Sequence, residues 1–309
     1  MSANTESQQP PETALGTFVV VALSSACFSC KGVFAKCAYR LGADAMTVLG
    51  LRMLFALPFF LLGGWLIRRP DRAALTRKDW LQLTLLGFLG YYLSSLVNFI
   101  GLQYVSAGLE RIVLYTYPSM VVIGGVLFQG QRLNRRMGLA AITAYLGIVI
   151  AFIGEAHARS EDLHQLFIGV ALVFGSALSY ASFILLSLPV VRRVGSNRFT
   201  AIVSSISGVM ILTHYAIARP IPALFQQSSG IYGWAILVAI VGTVLPSYLL
   251  GIGLRRAGSQ KFAIIGSIGP IVTLFLAWAL LGETLGPAQA IGFALTLCGG
   301  LAVSLMKDK

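Results

Sequence analysis

Apolar residues fall in long blocks along almost the whole chain, separated by short polar stretches. Ten runs can be read, at 15–36, 44–67, 80–102, 109–129, 136–154, 166–188, 198–218, 231–254, 261–281 and 287–306. A helix needs about 20 residues to cross the hydrocarbon of a bilayer, and each run approaches or exceeds that length. Gly and Pro punctuate the runs and no period-two alternation is sustained, so helices are predicted rather than a β-barrel. Residues 1–14, MSANTESQQPPETA, carry only Glu6 and Glu12 as charges and read as a disordered tail. No basic stretch precedes the first run and no small-residue cleavage site follows it, so that helix is expected in the mature protein. Residues 307–309 form a second short tail.

A repeat is visible inside this pattern. GLQYVSAGLERIVLYTYPSMVVIGGVLFQGQRL from Gly101 and GLRRAGSQKFAIIGSIGPIVTLFLAWALLGETL from Gly253 align at a constant offset of 152. Gly101 meets Gly253, Pro118 meets Pro270, Gly130 meets Gly282 and Leu133 meets Leu285. A weaker parallel joins SSACFSCKGVFAK, from Ser24, to GSALSYASFILLS, from Gly175. The halves are 15–154 and 166–306, joined by the acidic linker EAHARSEDLHQ at 155–165. Five helices is an odd number, so the second half enters the membrane from the opposite side. The predicted fold is therefore an all-α membrane protein of ten transmembrane helices in two inverted five-helix repeats, an architecture common among secondary transporters.

Composition agrees: 57% of residues are hydrophobic and 11% charged, against about a quarter charged in soluble domains. The net charge of +12 raises the question of nucleic acid, and its distribution answers it. With the N-terminus cytoplasmic, sixteen basic residues fall on the cytoplasmic side and five on the other, leaving Lys31 and Arg52 within spans. That asymmetry is the positive-inside pattern, so both termini are expected in the cytoplasm and the basic clusters against anionic lipid rather than nucleic acid. Cysteine labelling checks this. A residue placed at 160 should react from outside and one at 135 only after permeabilisation; the reverse would remove the topology.

The chemistry of an enzyme is not in view. No Ser/His/Asp set, paired carboxylates or metal cluster falls at membrane depth, and neither cofactor nor metal is expected. Cys27, Cys30, Cys37 and Cys298 read as buried free thiols, and the oligomeric expectation is a monomer or weak homo-oligomer.

Taken together the chain resembles the ten-helix drug/metabolite transporter superfamily, built from two EamA-type halves. The first half carries Lys36 late in its first helix, Arg52 early in its second and Pro118 in its fourth. The second half keeps Pro270 and the GETL closure with Glu283. Phe28-Ser29 stands where Trp-Gly is usual, and Gln131 where the first-half closure has Glu. The resemblance implies alternating access in a bacterial inner membrane. Among members the pattern is most similar to exporters of amino acids, aromatic ones in particular; nucleotide sugars, organic cations or drugs are the alternative substrates, and a channel the alternative mechanism.

Polar residues inside spans are costly and so mark candidate paths. Tyr91, Ser94, Ser95 and Asn98 recur at helical spacing; Thr243, Pro246 and Ser247 take the matching face in the second half. Ser176, Tyr180, Phe183 and Ser187 form another stripe, and Arg111, Tyr115 and Pro118 share a face, with Ser267 opposite Tyr115 in the repeat. Each of these small residues also suits plain helix packing. The predicted substrate-binding set is Lys31, Tyr91, Ser95, Asn98, Tyr115, Tyr180, Ser247 and Ser267, with Pro118, Gly266, Gly269 and Pro270 as hinges. Lys31 and Lys36 point about 140° apart on a helix. Lys31 lies deeper, beside Gly32 and on a face with Ser24, Cys27 and Phe28, and is expected in the cavity; repeat symmetry selects Lys36 instead. Asp44, Asp79, Glu110 and Glu283 all fall at helix ends, and His214 stands alone near another. With no carboxylate inside a span, facilitated diffusion is the expected energetics.

Overall fold

A computed structural model describes residues 14–66, 75–130, 135–158, 163–250, 252–253, 256, 265 and 268–305. Among these residues the regular structure is helical, without strands. The helices are α1 (Ala14–Arg40), α2 (Ala45–Leu66), α3 (Arg77–Gly87), α4 (Ser94–Gly101), α5 (Ala107–Leu114), α6 (Tyr117–Gln129), α7 (Arg135–Ala158), α8 (Leu163–Val194), α9 (Ser196–Ala218), α10 (Ser229–Ala239), α11 (Ile268–Leu281) and α12 (Pro287–Leu305). Among the described residues eight helical stretches, one of them Ala107–Phe128 across α5 and α6, are long and apolar enough to cross a membrane, and Ile268–Leu281 and Pro287–Ala302 are shorter apolar helices. Leu61, Leu62, Trp65, Leu127, Phe128, Phe167, Phe275 and Trp278 are exposed on the outside of the bundle. Large apolar side chains turned outward over so wide a surface are what a bilayer solvates.

Two of the long stretches carry a wide turn at the same repeat position. Phe88–Leu93 between α3 and α4, and Ile240–Val244 after α10, are π-helical. Phe88 and Ile240 stand 152 apart, the offset of the sequence repeat. Gly130 and Gly282, also a repeat pair, follow α6 and α11 with φ of 68° and 63°. A side chain there would be strained, which is why glycine closes both helices.

The packing repeats too. α1 lies against α11 and against the segment from α10 through its π turn, while α8 lies against α5–α6 and against the π turn and α4. α2 packs on α9 and α7 on α12. Exchanging the halves maps α2–α9 and α7–α12 onto themselves and α1–α11 onto the α8 contact with α5–α6, whereas α1 lies chiefly on the segment before its π turn and α8 on the segment after. The α7–α12 contact is the tightest. Ala140, Ala144, Gly147, Ala151 and Gly154 make a small-residue face that meets Gly292, Thr296 and Gly299. The backbones come so close that Thr296 donates to the Ala144 carbonyl at 3.1 Å. Without a hydrophobic drive between helices in lipid, this intimacy is what holds them.

Several expectations need correction. The linker is shorter than 155–165, because α7 runs to Ala158 and α8 begins at Leu163. Glu155 is accordingly not a surface acid: it is 1% exposed and accepts from the backbone N–H of Ser106 at 2.8 Å. Pro118 does not bend one continuous helix. The fourth run is broken at Tyr115-Thr116, and Pro118 sits in the first turn of α6, where its missing N–H costs nothing. His214 is not alone, since its Nδ1 lies 2.8 Å from the Tyr92 hydroxyl. Cys298 is exposed, whereas Cys27 and Cys37 are buried.

Candidate substrate site and gate

The site begins at two glycines in the π turns. A Cβ on Gly242 would meet the Lys31 Cβ at 3.1 Å, so the lysine stem of α1 lies directly on that turn. A Cβ on Gly90 would overlap the Phe183 ring, so the phenyl of α8 lies on the other turn. Gly90 and Gly242 differ by 152 in number, and so do Lys31 and Phe183. Equivalent slots in the two halves therefore hold a cation in one and an aromatic ring in the other. This contact also moves the expected pairing of the first helices by one residue, since aligning Ser24 with Gly175 sets Lys31 against Ser182.

Charge gathers around Lys31. Its Nζ stands 5.7 Å from the centroid of Phe99, and the Arg52 guanidinium 5.4 Å from the same ring. Cations held over an aromatic face are stabilised by its quadrupole, which helps two of them share one buried region. Arg52, only 2% exposed, donates to Ser95 Oγ at 3.2 Å. Asn98 donates from Nδ2 to Glu110 Oε1 at 2.9 Å. Glu110 packs on Gly32, its Oε2 lying 3.3 Å from where a Cβ would be. Arg52, Glu110 and Arg111 are the charges acting on Lys31. Arg111 itself donates to Thr273 at 3.1 Å and to the carbonyls of Phe28 and Ser29. Glu110 is in the first turn of α5, as expected of a helix-end acid, but it is 0% exposed because that turn lies inside the bundle.

Next to this polar region runs a chain of rings. Tyr115 meets Tyr117 edge-on at 6.4 Å, Tyr117 meets Tyr180 at 5.3 Å, and Tyr180 stacks on Phe183 at 5.8 Å. Phe183 also takes the edge of Tyr91 at 5.5 Å. The two regions join where Arg52 acts on Tyr91 and Arg111 on Tyr117. Arg111, Tyr115, Pro270, Phe293 and Thr296 come together beside the α5–α6 break.

The predicted residues therefore divide. Lys31, Ser95 and Asn98 come together at the charged region; Tyr91, Tyr115 and Tyr180 come together through Tyr117 and Phe183. The third-run stripe does not face one way, since Ser94 bonds Ser176 of α8 at 3.1 Å while Ser95 and Asn98 turn to α2 and α5. Ser247 donates to the Thr243 carbonyl at 2.6 Å and lies near the Tyr91 hydroxyl. Ser267 and Gly266 lie outside the described residues. Gly269 serves close contact, for a Cβ there would sit 2.6 Å from Ser29 Oγ of α1. Glu110 and Tyr117 were missed as site residues, and Arg52 was noted only as an intramembrane charge. An arginine eight residues after the start of the 44–67 run was the available signal.

One end of the bundle is fastened across the repeats. Glu283, after α11, accepts from the N–H groups of Ala107 at 2.9 Å and Gly108 at 3.3 Å, where α5 begins. A carboxylate there complements the helix dipole. Lys36 pairs with Glu283 at 3.6 Å and donates to the Val105 carbonyl, and Arg40 donates to the Leu281 carbonyl. Lys36 is thus tied into this end, while Lys31 is the interior lysine.

Comparison with known proteins places this geometry. Residues 15–153 and 167–305 each match the model of the EamA-like transporter family. The uncharacterized transporter YcbK of Bacillus subtilis is 32% identical over 294 residues, covering 94% of this chain and 91% of its own. The S-adenosylmethionine/S-adenosylhomocysteine transporter of Chlamydia muridarum is 28% identical over 276 residues, covering 83% of this chain and 82% of its own. A solved crystal structure with 13% identity superposes at a TM-score of 0.65 over 94% of this chain and 96% of that one, a likeness of fold alone. With both halves matched in turn, and with its outer surface made for lipid, the chain is a multi-pass membrane protein that belongs to the EamA-like transporter family.

Proposed function

We propose that this protein is a secondary transporter of metabolites bearing an α-amino acid head and an aromatic body, exported across a bacterial inner membrane by alternating access. The pairing of Lys31 on Gly242 with Phe183 on Gly90 carries the reading. One half presents charge and the other presents rings, and a substrate with a zwitterionic head and a flat body fits across both. The head's carboxylate is assigned to Lys31 and to the unpartnered Nε of Arg52, and its ammonium to Glu110 and Asn98. The body is assigned to Tyr91, Tyr117, Tyr180 and Phe183. Aromatic amino acids meet this description. S-adenosylmethionine does as well, since it joins a methionine head to adenine, and relatives in Chlamydia carry its name. Phosphorylated substrates would call for more than this mixed set of cations and one carboxylate.

The cycle is assigned to ten spans in repeats 15–154 and 166–306, both termini cytoplasmic. In that topology the end fastened by Glu283 is the outer gate, and the conformer is closed to the outside. The hinge is assigned to the α5–α6 break with Pro118, and to Pro270 at the start of α11.

Counterflow in proteoliposomes tests the reading. L-Tryptophan or S-adenosylmethionine should exchange, while a nucleotide sugar and a quaternary ammonium should not. Pro118→Ala, which restores an N–H and relaxes the break, should slow exchange more than it weakens binding. Exchange of neither probe would remove the substrate class.

A further inference from the structure

Two serines of α9 hold hydroxyls that bond to nothing. Ser204 and Ser207 are both 0% exposed, and neither Oγ has a hydrogen-bond partner among the described residues. A serine inside a helix commonly donates back to a carbonyl three or four residues earlier, as Ser29, Ser187 and Ser247 do here. An unbonded interior hydroxyl costs stability, and alanine would fill the same space without that cost. Close approach does not explain the pair either. Gly208 already provides it, for a Cβ there would sit 3.0 Å from Leu57 Cδ1 of α2. The two hydroxyls lie where the ring region and the charged region meet. Val203 and Ile206, one residue before each serine, touch α3: a Cβ on Gly87 would lie 3.1 Å from the Val203 carbonyl oxygen and 3.3 Å from Ile206 Cγ2. α9 thus runs beside α3 and its π turn. Ser204 stands beside the Tyr91 hydroxyl, as Ser247 does. Earlier on α9, Phe199 stacks on Phe183 at 6.0 Å. From α2, Arg52 acts on Tyr91, and its Nε is unpartnered as well.

We infer that Ser204 and Ser207 read a hydrogen-bonding atom on the substrate's aromatic body, so that rings carrying such an atom are preferred to a bare phenyl. The inference rests on the amino-acid reading above, with the head at Lys31 and Arg52 and the body along Tyr180 and Phe183. Ser95, which accepts from Arg52, and Tyr91, which adjoins Ser204, are four residues apart, about one turn or 5–6 Å along the helix. That length is comparable to the reach from an amino-acid head across its ring. A hydroxyl both donates and accepts, so a phenol, an indole N–H or an adenine nitrogen can each satisfy the pair. A bare phenyl leaves both hydroxyls unbonded. A site built to bond a polar substituent rejects the analogue lacking it, because its own groups are then left unpaired. Phe199 and Phe183 offer faces to either ring and do not separate the two. A trapped water is the competing occupant, and it leaves the pair indifferent to the ring.

L-Tyrosine and L-phenylalanine differ by one hydroxyl, and their binding to the full-length protein tests the inference. The wild type should hold L-tyrosine about tenfold more tightly. With Ser204→Ala and Ser207→Ala combined, the preference should vanish: tyrosine falls to the phenylalanine value and phenylalanine is unchanged. The substrate-free Tm should hold or rise, because the hydroxyls removed were unbonded. Ser182→Ala, which deletes an exposed hydroxyl of α8 that donates to the Leu178 carbonyl, should keep the preference. Equal affinity for the two amino acids in the wild type, a preference that survives the double substitution, or equal falls for both overturns the inference. So does a drop in the substrate-free Tm, which would mean that the hydroxyls were already bonded. Those outcomes leave the amino-acid reading standing. Failure of tyrosine, phenylalanine, tryptophan and S-adenosylmethionine alike to bind the wild type overturns that reading, and this inference with it.

Discussion

Lys31→Met should lower L-tryptophan transport by about 30-fold or more, because losing one member of a buried charge pair costs about 2–5 kcal/mol and each 1.4 kcal/mol is a factor of ten. The fold should survive. Methionine keeps a long unbranched stem to lie on Gly242 and removes an ammonium whose cost inside a bilayer is about 2.5–3.5 kcal/mol. The decisive control is tryptophan amide, which lacks the carboxylate and should lose much less. Lys36→Met should behave differently, loosening the fastening to Glu283 without separating acid from amide. If acid and amide fall together in Lys31→Met, or neither falls, Lys31 is structural. Ring contacts add their own discrimination. Stacking is worth roughly 0.5–1.5 kcal/mol beyond buried area, enough to favour tryptophan over alanine about tenfold.

The second large effect is on stability. In Gly292→Leu the new Cβ would sit 2.7 Å from the Ala151 N and closer still to the Gly147 carbonyl. Both are backbone atoms, so no side chain can swing aside and α7 and α12 must part. Overpacking a well-filled contact typically costs about 1–3 kcal/mol, and here the hydrogen bond from Thr296 to Ala144 is lost as well. Thermal unfolding in detergent should show a marked fall in Tm together with poor yield. Gly175→Leu is the matched control, because a Cβ there meets nothing within 4 Å. An equal loss in both variants would mean that helix propensity, not the close approach, is responsible.

Much of the architecture was legible because lipid simplifies the code. A chain that must satisfy its backbone internally can only cross as helices, so apolar block length alone marks the long helices and the outward face. The repeat offset was legible for a similar local reason: Gly130 and Gly282 are needed wherever a helix closes with positive φ. Lys31 could be singled out because a charge inside an apolar run is expensive enough to require a purpose, and Gly32 beside it marked the side where a neighbour comes close. Tyr91, Tyr115 and Tyr180 were found by helical spacing, although their joining members were not.

What remained hidden depends on neighbours distant in the chain. Glu110 reads as a helix-end acid because sequence shows its distance from the end of α5, not whether that end lies inside the bundle. Glu155 reads as linker for the same reason. The wide turns at Phe88–Leu93 and Ile240–Val244 leave no period in the sequence, since one extra residue per turn is stabilised by what packs on it, Phe183 in one case and Lys31 in the other. The same turns divide Ser94 from Ser95 and send them to different helices. A residue's type and spacing are local properties, and they predict which face is polar. Whether a polar atom finds a partner, as Glu110 Oε1 does in Asn98 while its Oε2 does not, is a property of several helices at once and exists only when they are packed.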